Sequence, residues 1–254
     1  MNLKRIGLAT LAVVVALVIW SFQPTQYPRF QTQPGVKPEG GHHVLIFGAT
    51  RNTGLEVARI LVARGDRVTA FVRPSSNRSD LEKLGVGFLE GDALDMESVQ
   101  AAFGDEGYTA VLTTIACFTC DPKPDYLGNR NIFDAAVEAN IKRMLLVTTV
   151  GAGDSYDSAP LPARIFLKDM LPLKTMAEDH LMSSGLAYTI IRPGGLKSEP
   201  RTGSGYLSES RETIGIINRA DLADLIVEAL DDERTIGKVL AAVDAEMVFP
   251  WDMF

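Results

Sequence analysis

From His42 onward, short apolar runs alternate with stretches whose apolar residues recur at helical spacing. Val44–Phe47 is such a run, ended by Gly48; Leu55–Ala63 has the helical period and stops at Gly65. Arg67–Val72, Val86–Glu90, Ala110–Ala116, Arg143–Thr149, Ala187–Arg192 and Lys238–Val243 read as further strands. Helices are predicted over Asp95–Phe103, Asp125–Ala139 with Asn140 closing it, about Ile165 to Ser184, and Asp221–Leu230. Ser79-Asp80-Leu81-Glu82 has capping-box spacing and opens a short helix. Strands alternating with helices pair in parallel through right-handed crossovers, and continuous apolarity marks strands covered on both faces. The pattern predicts one α/β domain, a Rossmann-type doubly wound parallel sheet.

The first 41 residues differ in kind. Lys4 and Arg5 precede an apolar run from Ile6 to Trp20 without a charged residue, so residues 1–22 read as a signal anchor or a signal peptide. The run is short for a bilayer span, and Ser21-Phe22-Gln23-Pro24 offers no small-x-small cleavage site, which favours an uncleaved anchor. Residues 23–41, with Pro24, Pro28, Pro34 and Pro38, read as an extended linker to a domain covering 42–254. With Lys4 and Arg5 inside, the domain is expected at a membrane on its non-cytoplasmic side; secreted and cytoplasm-facing placements are the alternatives.

Composition narrows the function classes. An apolar share of 46% supports a full core. A net charge of −7 and no Lys/Arg run beyond pairs argue against nucleic acid, which demands a concentrated basic surface. In doubly wound sheets ligands sit beyond the carboxyl ends of the strands, where chain order reverses.

The loop Gly48-Ala49-Thr50-Arg51-Asn52-Thr53-Gly54 occupies that position between the first strand and first helix. Gly48 permits a tight turn, Gly54 lets the helix pack close, and the helix start offers free N–H groups to a pyrophosphate. The residue closing the second strand discriminates between dinucleotides: an acid bonds the ribose diol of NAD, whereas arginine accommodates the 2′-phosphate of NADP. Here it is Arg73, followed by Ser75 and Arg78, so NADP(H) is expected to bind in preference to NAD(H); Arg51 in the phosphate loop has two readings, a contact to the 2′-phosphate or a place on the rim.

These motifs, with Gly91-Asp92, Val147–Gly151, Ser184–Gly194 and Arg219-Ala220-Asp221-Leu222-Ala223, resemble the atypical short-chain dehydrogenase/reductase group. Within it the chain is most similar to NmrA-like and biliverdin-IXβ/flavin-reductase-like NAD(P)H-binding proteins, over His42 to about Asp244. The resemblance implies that Asp92 approaches the adenine and that Thr114 to Ala116 line the cofactor. It implies that Pro193, Gly194, Gly195 and Leu196 hold the nicotinamide carboxamide through backbone groups. Thr149 would stand near the reacting carbon, and Lys174 would reach the nicotinamide ribose.

One departure bears on chemistry. Where the group pairs its lysine with a tyrosine four residues earlier, this chain has Met170, which cannot exchange a proton. Tyr156 is the nearest upstream tyrosine, a candidate replacement acid. Three functions stay open: an oxidoreductase of a planar acceptor (flavin, quinone or tetrapyrrole-like) that takes its proton from water, a non-catalytic dinucleotide sensor at a membrane, and an epimerase- or isomerase-like enzyme. Cys117-Phe118-Thr119-Cys120 reads as a redox pair, a structural disulfide or two inert thiols. His42-His43 reads as the start of a strand rather than a metal site, and Phe249–Phe254 as a packed or interfacial tail.

Overall fold

A computed structural model describes residues 27–35, 37–104 and 107–247. Eight strands form one sheet in the order β3-β2-β1-β4-β5-β6-β10-β8. They are β1 (His43–Phe47), β2 (Arg67–Val72), β3 (Gly87–Glu90), β4 (Ala110–Thr113), β5 (Met144–Val147), β6 (Tyr188–Pro193), β8 (Gly205–Ser208) and β10 (Lys238–Asp244). All neighbours run parallel except β8, which lies antiparallel on β10. Chain order runs outward from β1 in one direction and from β4 in the other, so the switch point lies between these two strands.

The helices are α1 (Asn52–Ala63), α2 (Ser79–Glu82), α3 (Met96–Ala102), α4 (Pro124–Glu138), α5 (Leu161–Phe166), α6 (Leu171–Ser183) and α7 (Arg219–Asp231). Strand periodicity assigns their faces. Val44 and Ile46 of β1 join Leu55, Ala58 and Leu61 of α1 and Leu222 and Ile226 of α7 in one core layer. Leu45 and Phe47, pointing the other way, join Ile132 and Phe133 of α4 and Ala177 and Leu181 of α6.

Helix ends follow local chemistry. Gly65 (φ +86°) ends α1: its N–H reaches Val62 O, and the Asp66 N–H reaches Leu61 O. Asn140 (φ +54°) ends α4 with the same pair of bonds, from its own N–H to Val137 O and from Ile141 to Ala136 O.

Several expectations are corrected. The fourth strand stops at Thr113 rather than Ala116, because Thr114 N–H makes the last bond to Phe47 O and its hydroxyl turns to Gly48 O (3.2 Å). The helical region expected from Ile165 is two helices, with Pro172 in the first turn of the second, a position that needs no N–H. No capping box forms at Ser79: it is already helical, and its N–H donates to Asn77 Oδ1 at 3.1 Å. A small parallel pair, β7 (Gly195–Lys197) with β9 (Ile216–Asn218), was not predicted. Residues 27–35, expected as spacer, lie on the domain: Phe30 bridges Leu207, and Gln33 N–H donates to Asp232 Oδ2 (2.8 Å).

His43 begins β1 and His42 immediately precedes it, with His42 Nε2 3.1 Å from Asp231. No helix among the described residues is long and apolar enough to cross a membrane. The Ile6–Trp20 run and the Phe249–Phe254 tail lie outside the described residues.

Candidate dinucleotide and acceptor cavity

Beyond the carboxyl ends of the strands lies one continuous cavity of about 1040 Å³. Its floor at the switch point is the β1–α1 loop. Gly48 takes φ +90° and Asn52 φ +54°, and Arg51 is extended before the helix, so the chain turns sharply without a side chain capping α1. The first N–H groups of a helix have no intrahelical partner, and here they face the cavity with the partial positive charge of the helix end. A Cβ on Gly54 would collide with the Gly48 carbonyl oxygen. Gly48, Thr50, Arg51, Asn52 and Thr53 line the cavity, whereas Gly54 sits under the loop as the contact that lets it close.

On the β2 side, Arg73 lines the cavity, and the turn after it carries Ser76, whose N–H reaches Arg73 O (2.9 Å). Ser76 rather than Ser75 lines the cavity from this turn. Arg78 does not line it; its guanidinium pairs with Glu90 (2.7 Å) and Glu82 (3.5 Å) and covers the Phe88 ring. Asp92 lines the cavity and receives the Leu94 N–H at 2.9 Å. Thr114 and Ala116 stand between these groups and β5.

Past β4 the site is built on buried charge. Lys174 Nζ lies 3.1 Å from Asp125 Oδ1, whose side chain is fully buried, and Asp125 Oδ2 receives the Cys117 N–H at 3.1 Å. The Oδ1 atom has no aligned hydrogen bond, so the lysine is held there by charge. Asp125 also sits in the first turn of α4, where the helix dipole favours an anion. Thr149 lines the cavity, its hydroxyl 3.5 Å from Pro193 O. Thr148 beside it donates to Glu178 Oε1 (2.6 Å), and Arg192 clamps Glu178 through both oxygens at 3.1 and 2.7 Å. This buried pair ties the end of β5 to α6 and β6.

Met170 is buried one turn before Lys174, and Tyr156 lies exposed in the short helix Gly153–Ser158, outside the cavity lining and under the Arg164 guanidinium. Neither places a phenol beside Lys174.

The far wall is apolar. Cys117 and Cys120 are joined in a disulfide with Cα atoms 5.4 Å apart. Within that loop Phe118 faces Phe166 of α5, ring centroids 5.6 Å apart, and both line the cavity while 55% and 74% exposed. Gly194 and Leu196 line the opposite side; Pro193 does not, and its carbonyl accepts from Val150 N–H (2.9 Å). The N–H groups of Gly194 and Gly195 already bond Ala242 O and Gly215 O, so a carboxamide cannot use these two amides. Arg219, at the start of α7, completes this side.

Sequence reasoning missed Asp125, Phe118, Phe166 and Arg219 as site residues. Asp125 had a legible signal, since it falls on the stripe Asp125–Asn129–Ile132–Ala136 that α4 buries. The Phe118–Phe166 pairing depends on tertiary placement and left no trace in spacing.

A family model described as NAD(P)H-binding matches residues 48–233. The structure of ChuY, an anaerobilin reductase from Escherichia coli O157:H7, superposes with a TM-score of 0.74 at 31% identity, covering 81% of this chain and 98% of that one. An uncharacterized chloroplastic protein of Arabidopsis thaliana is 30% identical over 88% of this chain and 83% of its own length. Sanguinarine reductase of Eschscholzia californica is 32% identical over 45% of this chain and 42% of its own length.

Proposed function

Since this chain belongs to the NAD(P)H-binding family, we propose that it is an oxidoreductase that binds NADP(H) in preference to NAD(H) and reduces a planar, largely apolar acceptor in the same cavity. The observation that carries the proposal is that one cavity joins an uncapped helix start to a wall of two facing phenylalanines. ChuY and sanguinarine reductase, named for reductions, support the same class of chemistry.

The residues fit the dinucleotide. The amides at the start of α1 bind the pyrophosphate, and Gly54 keeps that approach open because any side chain would strike Gly48 O. Arg73 and Ser76 bind the 2′-phosphate, where an acid would repel it. Lys174, oriented by Asp125, binds the ribose hydroxyls next to the nicotinamide. The bound cofactor supplies a hydride. Phe118 and Phe166 orient the acceptor ring and exclude water from one of its faces. With Met170 buried below Lys174, no phenol delivers a proton, so the acceptor takes it from water.

The test is a pair of titrations followed by turnover. NADPH is expected to quench and bind at least about tenfold tighter than NADH, roughly the 1.4 kcal/mol of one modest charge-assisted contact. Oxidation of NADPH in the presence of flavins and quinones then reads catalysis. Tight binding with no turnover on any acceptor would favour a second reading, a dinucleotide sensor, which the Met170 position independently supports. The apolar segment Ile6–Trp20 is proposed as a membrane-directing element on sequence grounds; alkaline carbonate extraction of the full chain releases the protein if it is not.

A further inference from the structure

Helix α5 turns one face to the cavity and leaves the other to solvent. Five of its six residues are apolar, and none is buried. Pro162, Ala163 and Phe166 line the cavity. Leu161 and Ile165, four residues apart and so on one face, do not line it, and they are 61% and 62% exposed. With Phe166 and Phe118 they are the four most exposed large apolar side chains among the described residues, and all four belong to one lip of the cavity. Apolar residues exposed singly are ordinary, whereas a cluster marks a contact surface. Arg164, the one polar residue of the helix, is folded over the Tyr156 ring and lies 3.7 Å from Asp157.

Two observations bear on what covers this surface. The first is where the chain enters the domain. Arg29 lies over the Tyr206 ring at 4.8 Å, and Tyr206 pairs with Val243, one residue before the carboxyl end of β10. The cavity opens beyond those same strand ends. Trp20 closes the apolar run nine residues before Arg29, so the run proposed as membrane-directing is tethered within about 30 Å of this end of the sheet. The second is charge. Arg164 and Lys168 are matched by Asp157 and Asp169, so the lip offers apolar contact without net charge, which suits a neutral lipid surface.

We propose that α5 is a lipid-contacting helix: Leu161 and Ile165 enter the bilayer to which Ile6–Trp20 directs the chain, and the mouth of the cavity rests at the lipid–water boundary. The inference rests on the membrane-directing reading of that run and is independent of the chemistry assigned to the cavity. A helix lying in the interface buries its apolar face by about 5–10 Å.

The experiment uses the full chain reconstituted into phosphatidylcholine vesicles, with a nitroxide label attached through Ile165→Cys. The two native cysteines are joined to each other and do not take the label. Power saturation compares collisions with oxygen, which concentrates in lipid, and with a water-soluble nickel chelate. The label is expected to favour oxygen, at a depth of about 5–10 Å. The same label attached through Val137→Cys, exposed in the last turn of α4 at the opposite end of the sheet, is expected to favour the chelate. Adding Leu161→Asp to the Ile165→Cys chain should return its label to water. NADPH affinity should stay within about twofold throughout, since Leu161 and Ile165 do not line the cavity.

Preference for the chelate at position 165 on vesicle-bound protein overturns the proposal and leaves the membrane-directing reading of Ile6–Trp20 standing. Protein that does not sediment with the vesicles overturns both. A label unmoved by Leu161→Asp would mean that α5 does not itself hold the lipid contact, which also overturns it. Shielding from oxygen and chelate alike overturns it in favour of protein cover, from a second copy where the labels broaden each other and from within the chain where they do not.

Discussion

Replacing Asp125 by asparagine removes one charge from the fully buried partner of Lys174 while keeping its shape and an oxygen for the Cys117 N–H. At 3.1 Å and an effective dielectric constant near 20, the lost attraction is about 5 kcal/mol before solvation is counted. Breaking a buried pair from one side costs about 3–5 kcal/mol. Lys174 borders a cavity that water enters, so the low end applies, about 3 kcal/mol. With a urea dependence near 2 kcal/mol per molar, the unfolding midpoint of Asp125→Asn should fall by about 1.5 M. NADPH should bind about three- to tenfold more weakly, because an unanchored lysine must be ordered on binding. Asp125→Leu combined with Lys174→Met removes both charges and should recover most of the stability without recovering affinity. Equilibrium urea melts and fluorescence titration read both quantities. A midpoint within about 0.3 M of the parent would refute the claim that this charge pair holds Lys174 in place.

Four further outcomes follow from other contacts. Gly54→Ala drives a methyl group into Gly48 O, so dinucleotide affinity should drop more than about tenfold by calorimetric titration; parental affinity would mean the loop can yield. Arg73→Asp should narrow or reverse the NADPH-over-NADH preference, and an unchanged ratio of dissociation constants would remove Arg73 from the 2′-phosphate site. His42 has its pKa lowered by burial, against the pull of Asp231 and Asp66. Its stabilising effect is therefore complete above its ordinary 6.5 and is lost as pH falls through the lower folded value. Melts between pH 7.5 and 5.5 should show a decline that His42→Gln flattens, and parallel slopes would count against this. Reducing Cys117–Cys120 with dithiothreitol frees the loop that carries Phe118, so acceptor KM should rise while NADPH affinity stays within about twofold; if NADPH affinity falls equally, the loop serves the cofactor.

Elements whose formation is local were legible in the sequence. Arg67–Val72 appears at its expected bounds, and Gly65 and Asn140 end their helices because a positive φ is encoded by the residue itself. Elements that depend on partners were not. β7 and β9 are three residues each and exist only through their mutual pairing, which no periodicity could announce. β8 completes the sheet edge against β10 and also receives Phe30, so a stretch read as linker from its prolines is drawn onto the domain by the Phe30 N–H bond to Leu207 O, the Gln33 N–H bond to Asp232 and the cations over the Phe30 ring.

The site divides along the same line. The phosphate loop and Arg73 follow from strand-to-helix order, because a doubly wound sheet brings every such loop to one edge. The far end of the cavity arises from folding alone: Phe118 comes from the loop after β4, Phe166 from a six-residue helix after β5, and Arg219 from the start of the last helix. The family motif Arg219-Ala220-Asp221 shows how roles separate within adjacent residues. Asp221 turns inward and receives the N–H groups of Thr202 (3.1 Å) and Gly203 (2.8 Å), fixing the loop beside the cavity. Arg219, two residues earlier, lines the cavity and donates to Ser198 Oγ at 2.8 Å. Three consecutive helical residues spread over most of a turn, so one motif can close a wall and present a charge on it. The end of the cavity set by chain order is thereby separate from the end set by tertiary placement, so the second can change while the first is kept.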